Sequence, residues 1–287
     1  MVPRMGRARA LTRIRVVTSG ASPARLRAGT AEPRGTRMRT WTHADHTRAV
    51  GDEINRMAKT VTGHDMSVPT PTCPGWDLGA LIAHTGAIHR WAAAMVRDLS
   101  PERYHRREMD FGEPEHRADY PAWLARGAEI LQEALSGQEP DAPMWAWGGD
   151  RHVRFWSRRQ LHETVVHHAD AQIAIGIAPA IDEDIAADGV EELFDLLPYA
   201  RGGAPARELT GDGETLSWQA DSGAGWVVTL EPGGFSYRRS PEPGDVTVRA
   251  ATSSDLQLLV WGRRRADDYS IDGDSGLLSW WLSHSAV

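Results

Sequence analysis

Leu161-His162-Glu163-Thr164-Val165-Val166-His167-His168-Ala169-Asp170 sets titratable residues inside a helical pattern, and its reading decides the fold. At about 100° per residue, Glu163 and His167 lie roughly 40° apart on one helix face. A carboxylate and an imidazole so placed can reach one ion. His162 and His167 stand about 140° apart and do not share a site. The metalloprotease pattern puts two histidines four apart with a glutamate after the first. Here the tract is His-Glu-x-x-x-His, so that reading fails on spacing. The periodicity predicts a helix over 158–176, with Ser157-Arg158-Arg159-Gln160 as its capping box.

Three further helices precede it. Residues 43–62 follow Thr42 as cap and carry Val50, Ile54, Met57 and Val61 at spacings of three and four. Residues 77–98 start at Asp77 as N-cap and carry Leu81, Ile88, Trp91 and Met95. Residues 121–136 begin at a proline and carry Trp123, Ala128, Leu131 and Leu135. A shorter helix covers 183–197 and stops at Pro198. After residue 200 the texture changes. Arg201-Gly202-Gly203 reads as a linker, and strand-like runs follow at 215–219, 226–230, 235–239 and 246–250. Helices at 253–262 and 275–284 flank one more extended stretch, 269–272. The predicted class is α plus α+β: a four-helix bundle over 38–200, then a small α+β domain over 201–287.

Composition excludes several classes. Of the 287 residues, 41% are hydrophobic and 25% charged, the balance of a globular chain. A single cysteine, Cys73, leaves no disulfide framework, no cysteine-rich zinc site and no iron–sulfur cluster. Cys73 itself reads as a half-buried structural thiol. No apolar run reaches the roughly 18 residues of a spanning helix, and a net charge of −7 does not suit a nucleic-acid binder. The charge is uneven. Residues 1–40 hold ten Arg against Glu32 alone, with Gly, Pro, Ser and Thr between them. Residues 1–37 are therefore expected to be a disordered Arg-rich extension, with Met38 as a plausible start.

His84 falls three residues after Leu81 and four before Ile88, on the apolar stripe of its helix. A histidine pointing into a bundle core needs a partner, and bundle metal sites are built from side chains of facing helices. His84, Glu163 and His167 would make a two-His, one-carboxylate set with open coordination positions, acceptable to zinc, iron or nickel. The plain alternative stays open on spacing alone. It makes His84 a hydrogen-bonded core histidine and Glu163–His167 a surface pair. Asp170, three residues after His167, reads either as the acceptor orienting that imidazole or as a helix-face charge.

Together these residues resemble the mycothiol-dependent maleylpyruvate isomerase family. Val68-Pro69-Thr70-Pro71-Thr72-Cys73-Pro74-Gly75-Trp76-Asp77, running into Leu81-Ile82-Ala83-His84, resembles its opening motif. Phe155-Trp156-Ser157-Arg158-Arg159, leading to His162-Glu163-Thr164-Val165-Val166-His167 and Asp170-Ala171, resembles its second. Asp255-Leu256-Gln257-Leu258-Leu259-Val260-Trp261-Gly262-Arg263, followed by Ile271-Asp272-Gly273-Asp274, looks like its C-terminal domain. The resemblance spans about residues 40–287.

The resemblance implies a DinB-like bundle holding a divalent metal, usually zinc, and a C-terminal domain of sterol-carrier-like topology. The family's metal ligands match His84, Glu163 and His167. It implies an isomerase or thiol transferase that adds and then eliminates the thiol of mycothiol, a sugar-linked actinobacterial cysteine. Mycothiol would be the cosubstrate of a small substrate. Arg263, ending the Trp-Gly-Arg element, is the candidate catalytic cation, able to grip a substrate carboxylate with two bonds; the alternative is a surface salt bridge beside Arg264, Arg265, Asp267 and Asp268. A cytoplasmic, monomeric enzyme with no nucleic-acid or membrane partner is expected. The alternative is a DinB-like metal-binding protein with a regulatory, binding or hydrolytic detoxification role. A lipid carrier is disfavoured by polar, broken strands after residue 200.

Overall fold

Thr42 caps the first helix, α1 (His43–Val61), and its side chain and the Asp45 carboxylate exchange the two bonds of a capping box. The structure, a computed structural model, describes residues 39–200 and 208–286. The Arg-rich extension 1–37 and the Arg201–Gly203 linker lie outside the described residues. Asp77 caps α2 (Leu78–Arg97) by accepting from the Ala80 N–H. Pro121 sits in the first turn of α3 (Tyr120–Ser136), where its missing N–H leaves no bond unmade.

The fourth helix, α4 (Val153–Ala174), begins earlier than the capping-box reading places it. Ser157 is not a cap. It is buried inside the helix, donates to the Arg154 carbonyl at 3.0 Å and meets His43 Nδ1 at 2.9 Å. Two things override the local signal. Pro143 and His152 pair as an isolated bridge that fixes the entry of the chain. The Trp156 ring then packs 5.4 Å from Trp91 and 5.8 Å from Trp145, which requires Trp156 to be on the helix already.

Val50, Ile54 and Met57 of α1 meet Leu81 and Ile82 of α2, Leu124 and Leu131 of α3, and Leu161 and Val165 of α4 in one buried core. Each such side chain removed from water stabilises the fold by about 1.5–3 kcal/mol. A second core gathers around Trp218, Trp226, Val248, Leu256 and Trp281. The next helix, α5 (Glu183–Leu196), gives Val190, Leu193 and Phe194 to this second core.

The strands are β1 (Thr215–Ala220), β2 (Gly225–Glu231), β3 (Gly234–Arg239), β4 (Val246–Ala250) and β5 (Ser270–Gly273). They form one mixed sheet in the order β3-β2-β1-β4-β5. β1 and β4 run parallel, and the other neighbours are antiparallel. α6 (Ser253–Val260) connects β4 towards β5, and α7 (Ser275–His284) closes the chain against Phe235 and Phe194 through Trp281. The architecture is therefore α plus α+β. Among the described residues no helix is long and apolar enough to cross a membrane.

The seam between the two cores depends on Gly189 of α5. A Cβ there would sit 2.1 Å from Gln257 Nε2 and 2.9 Å from His162 Nδ1. The Gly189 carbonyl also accepts from the Trp261 indole at 3.3 Å. This approach brings the segment after α6 to Asp170 of α4.

Candidate metal centre

The site is built on α2 and α4. His84 Nε2 lies 3.4 Å from Glu163 Oε1, and His167 Nε2 lies 3.3 Å from the same oxygen. The three ligating atoms fall within 4.8 Å of one another. Tetrahedral ligands at bonds near 2.1 Å stand roughly 3.4 Å apart, so the set fits a small divalent cation. The two imidazoles meet edge to face, 5.2 Å between centroids, and the Trp76 indole lies 4.8 Å from His84 and 6.3 Å from His167. Trp76 thus covers both rings from the loop that leads into α2.

Each α4 ligand is steadied from behind. His167 Nδ1 is 2.9 Å from Asp170 Oδ2. With that nitrogen donating, Nε2 is the one presented to Glu163 and His84. Burial opposes the charged imidazole, but Asp170, Cys73 and Glu163 outweigh it and hold His167 well above its ordinary value. Burial likewise opposes the Glu163 carboxylate, which Arg159, His167 and His84 hold well below its usual range. Arg159 Nη2 donates to Glu163 Oε2 at 2.5 Å, leaving Oε1 to the histidines. Arg159 Nη1 binds both oxygens of Glu192 on α5 at 2.6 Å, and the guanidinium lies 5.3 Å from the centroid of the Trp261 ring.

Asp170 is fully buried and ties the two cores together. Arg263 Nε and Nη2 donate to its two oxygens at 3.0 and 3.1 Å, and Arg263 Nη1 donates to the Trp261 carbonyl at 2.6 Å. Of five guanidinium N–H donors, two remain for another ligand. The half-buried Cys73 thiol reaches Asp170 Oδ2 at 3.4 Å.

Two clefts flank the centre. His84 lines one of about 860 Å³ together with Arg103, Arg106 and Phe111. Glu163 and His167 line a smaller one, about 290 Å³, with Trp147, Trp261 and Arg263.

Two other groups have metal-ligand spacing, and their chemistry differs. His46, His162 and Asp188 also lie within 4.8 Å. There both imidazoles bind Asp188 Oδ2, at 3.0 and 2.6 Å, and Arg158 closes on the same carboxylate, so a cation already occupies its field. Cys73, His167 and Asp170 form the third group, and Arg263 already occupies Asp170. His162 accordingly points away from His84 and His167. His89 is buried with Nε2 on Thr164 Oγ1 at 2.9 Å, and His168 lies between Glu53 and Thr60.

Sequence reasoning missed Arg159, Trp76 and Arg106. Arg159-x-x-x-Glu163-x-x-x-His167 is a ladder of i,i+4 neighbours and was a readable signal for Arg159. The capping-box reading of residues 157–160 concealed it.

The profile described as the mycothiol maleylpyruvate isomerase N-terminal domain matches residues 47–172, and that described as the MDMPI C-terminal domain matches residues 184–279. No curated protein matches the chain. Among solved structures, the mycothiol-dependent maleylpyruvate isomerase is similar at 16% identity and TM-score 0.50, covering 81% of this chain and 93% of that one. A point mutant of that enzyme gives 15% identity and TM-score 0.51 over the same shares. The two domain profiles, matched in this order along one chain of the same architecture, show that the protein belongs to the mycothiol-dependent maleylpyruvate isomerase family.

Proposed function

We propose that the protein is a metal- and mycothiol-dependent enzyme that isomerises, or transfers a thiol to, a small carboxylate substrate. The observation that carries the reading is the convergence of His84, Glu163 and His167 between two clefts. The two clefts give two molecules separate approaches to the one centre. His84 Nε2, Glu163 Oε1 and His167 Nε2 would hold the divalent cation, zinc being the ordinary choice for such a set. When bound, it would supply Lewis acidity, lowering the pKa of an incoming thiol or polarising a carbonyl.

The protein's own groups do the rest. Glu163 remains an anion because Arg159 pairs with its second oxygen. Asp170 fixes the ring of His167, and Arg263 fixes Asp170 while bordering the cleft. Trp76, Trp147 and Trp261 line the surroundings with aromatic surface that limits water. In an isomerisation the sulfur adds to a carbon of a cis double bond conjugated to a carbonyl. The bond, now single, rotates, and the same sulfur leaves as the trans double bond re-forms. No thiol is consumed. In this reading the bundle of 38–200 carries the ligands, and the domain of 201–287 carries Arg263. A mycothiol-using monomer would work in an actinobacterial cytoplasm, where that thiol is kept reduced.

The test is metal analysis of the purified protein with a thermal-shift titration of mycothiol. Stoichiometric metal and stabilisation by mycothiol are expected. His167→Ala should lose the metal, and His162→Ala should keep it. Equal metal content in both variants would end the reading.

A further inference from the structure

The loop between α2 and α3 is held rigidly over the His84 side of the centre. It leaves α2 at Leu99, whose φ of 45° is left-handed, a conformation that a non-glycine residue adopts only when its surroundings hold it there. The Ser100 N–H returns to the Met95 carbonyl at 3.0 Å, which ends the helix there. Three donors then pin the loop. The Trp145 N–H binds the Ser100 carbonyl at 2.7 Å, the Trp91 indole binds the Tyr104 carbonyl at 2.9 Å, and the Trp123 indole binds the Phe111 carbonyl at 3.1 Å. Between the last two pins the chain makes one short 3-10 turn, Arg106–Glu108.

That turn places Arg103, His105, Arg106 and Arg107 around the cleft that His84 lines. Arg103 lies over the Trp91 ring at 5.8 Å, and His105 and Arg107 are exposed. Arg106 differs. Its side chain is half-buried, and its guanidinium makes no hydrogen bond or ion pair among the described residues. Burial disfavours its charge, and Glu163 is the acid whose field offsets that loss. Glu108 and Glu113 border the same cleft, and Glu113 is taken by the Tyr120 hydroxyl. The other guanidiniums of the centre are engaged: Arg159 with Glu163 and Glu192, Arg263 with Asp170. A half-buried guanidinium without a partner, on a pinned loop beside a metal-ligand set, is a fork prepared for an anion from outside.

We infer that Arg106 is the carboxylate-binding residue of this centre, gripping the acid end of a small unsaturated acid whose reacting carbons lie towards His84. This rests on the metal-centre reading above and adds which cation selects the substrate. Arg103 and Arg107 contribute attraction over a longer range, and Arg263 remains chiefly the partner of Asp170.

The experiment is calorimetric titration of the zinc-loaded protein with maleate and, separately, with its uncharged dimethyl ester. Metal content is measured on every sample. Maleate should bind the wild-type protein, and Arg106→Gln should weaken it about tenfold or more while leaving zinc content and the weak binding of the ester unchanged. Arg106→Lys should restore only part of the loss, because an ammonium cannot make the planar two-bond contact. Wild-type maleate affinity in Arg106→Gln at full zinc content would overturn the inference and leave the metal centre standing. Loss of zinc in Arg106→Gln, or no binding of maleate by the zinc-loaded wild type, would overturn it as well. A wild-type protein that takes up no zinc would overturn the metal-centre reading beneath it.

Discussion

Arg263 closes two arms of its guanidinium on Asp170, at 3.0 and 3.1 Å, and the same Asp170 oxygen that takes Nη2 also takes His167 Nδ1 at 2.9 Å. A residue from the segment after α6 thereby orients a side chain on α4 through one buried carboxylate. Asp170→Asn keeps the size and removes the charge. Its amide would leave Arg263 without a counter-charge and would no longer favour the Nδ1–H form of His167. Outer-shell changes of this kind weaken metal binding 10–100-fold. Zinc affinity measured by chelator competition should fall by that factor in Asp170→Asn. An unchanged affinity would mean that the His167 ring is held by packing alone.

Arg159 stands between two carboxylates, Glu163 and Glu192, and all three are largely shielded from water. Burial raises Glu192, even with Arg159, His162 and Arg158 opposing it. Removing the shared cation strands the buried Glu192 carboxylate and takes the counter-charge from the partly exposed Glu163. Breaking a buried pair by deleting one partner costs about 3–5 kcal/mol. Arg159→Gln should lose stability of that order in urea denaturation at pH 7. Adding Glu192→Gln should recover part of it, because one of the stranded charges is then gone. A single-variant loss below about 1 kcal/mol would show that water already reaches this group.

What was legible in the chain follows from how local each feature is. The helix faces of Val50, Ile54, Met57 and of Leu81 and His84 read directly from a spacing of three and four, and all five strands fall within about a residue of their strand-like or extended runs. The grouping of Glu163 with His167 needed only one helix face, and placing His84 opposite them needed only a second. α4 was harder to bound. It is surrounded by other elements, so its polar residues pair inward and its start shows no clean stripe. Ser157 imitated a cap, yet its hydroxyl serves Arg154 and His43. Arg106 was beyond reach, because its significance lies in lacking a partner among the described residues, on a loop whose path is pinned from outside it.

His89 makes a pH prediction whose sign is fixed. It is fully buried in α2, with Nε2 donating to Thr164 Oγ1 and Nδ1 without a partner among the described residues. Burial is the main cause that lowers it from 6.5 to about 3, with Glu163 the chief opposing influence. The unfolded state therefore takes the proton first as pH falls, and folding stability drops between about 6.5 and 3. The slope from this one group is about 1.4 kcal/mol per pH unit. His46, also lowered mainly by burial, acts in the same direction. Stability curves from pH 6 to 4 should be shallower for His89→Leu than for wild type by that slope. Parallel curves would mean that the ring gains a proton without unfolding the core around it.

Cys73 lies close enough to the centre to raise the question of whether it supplies the sulfur. Its thiol donates to Asp170 Oδ2 at 3.4 Å, on a carboxylate that Arg263 and His167 also occupy. Asp170 Oδ2 is also the partner of His167 Nδ1, so the thiol lies on the Nδ1 side of that ring, whereas Glu163 meets Nε2. A nucleophile must reach the reacting carbon, and this one is turned towards an acceptor within the protein. The sulfur should instead arrive with mycothiol through one of the two clefts. Cys73→Ala should therefore keep its zinc and its thermal stabilisation by mycothiol. Removing the S–H bond to Asp170 leaves that carboxylate with Arg263 and His167, so any weakening of zinc binding should stay within a few-fold. Loss of mycothiol stabilisation at full zinc content would place Cys73 in the reacting set.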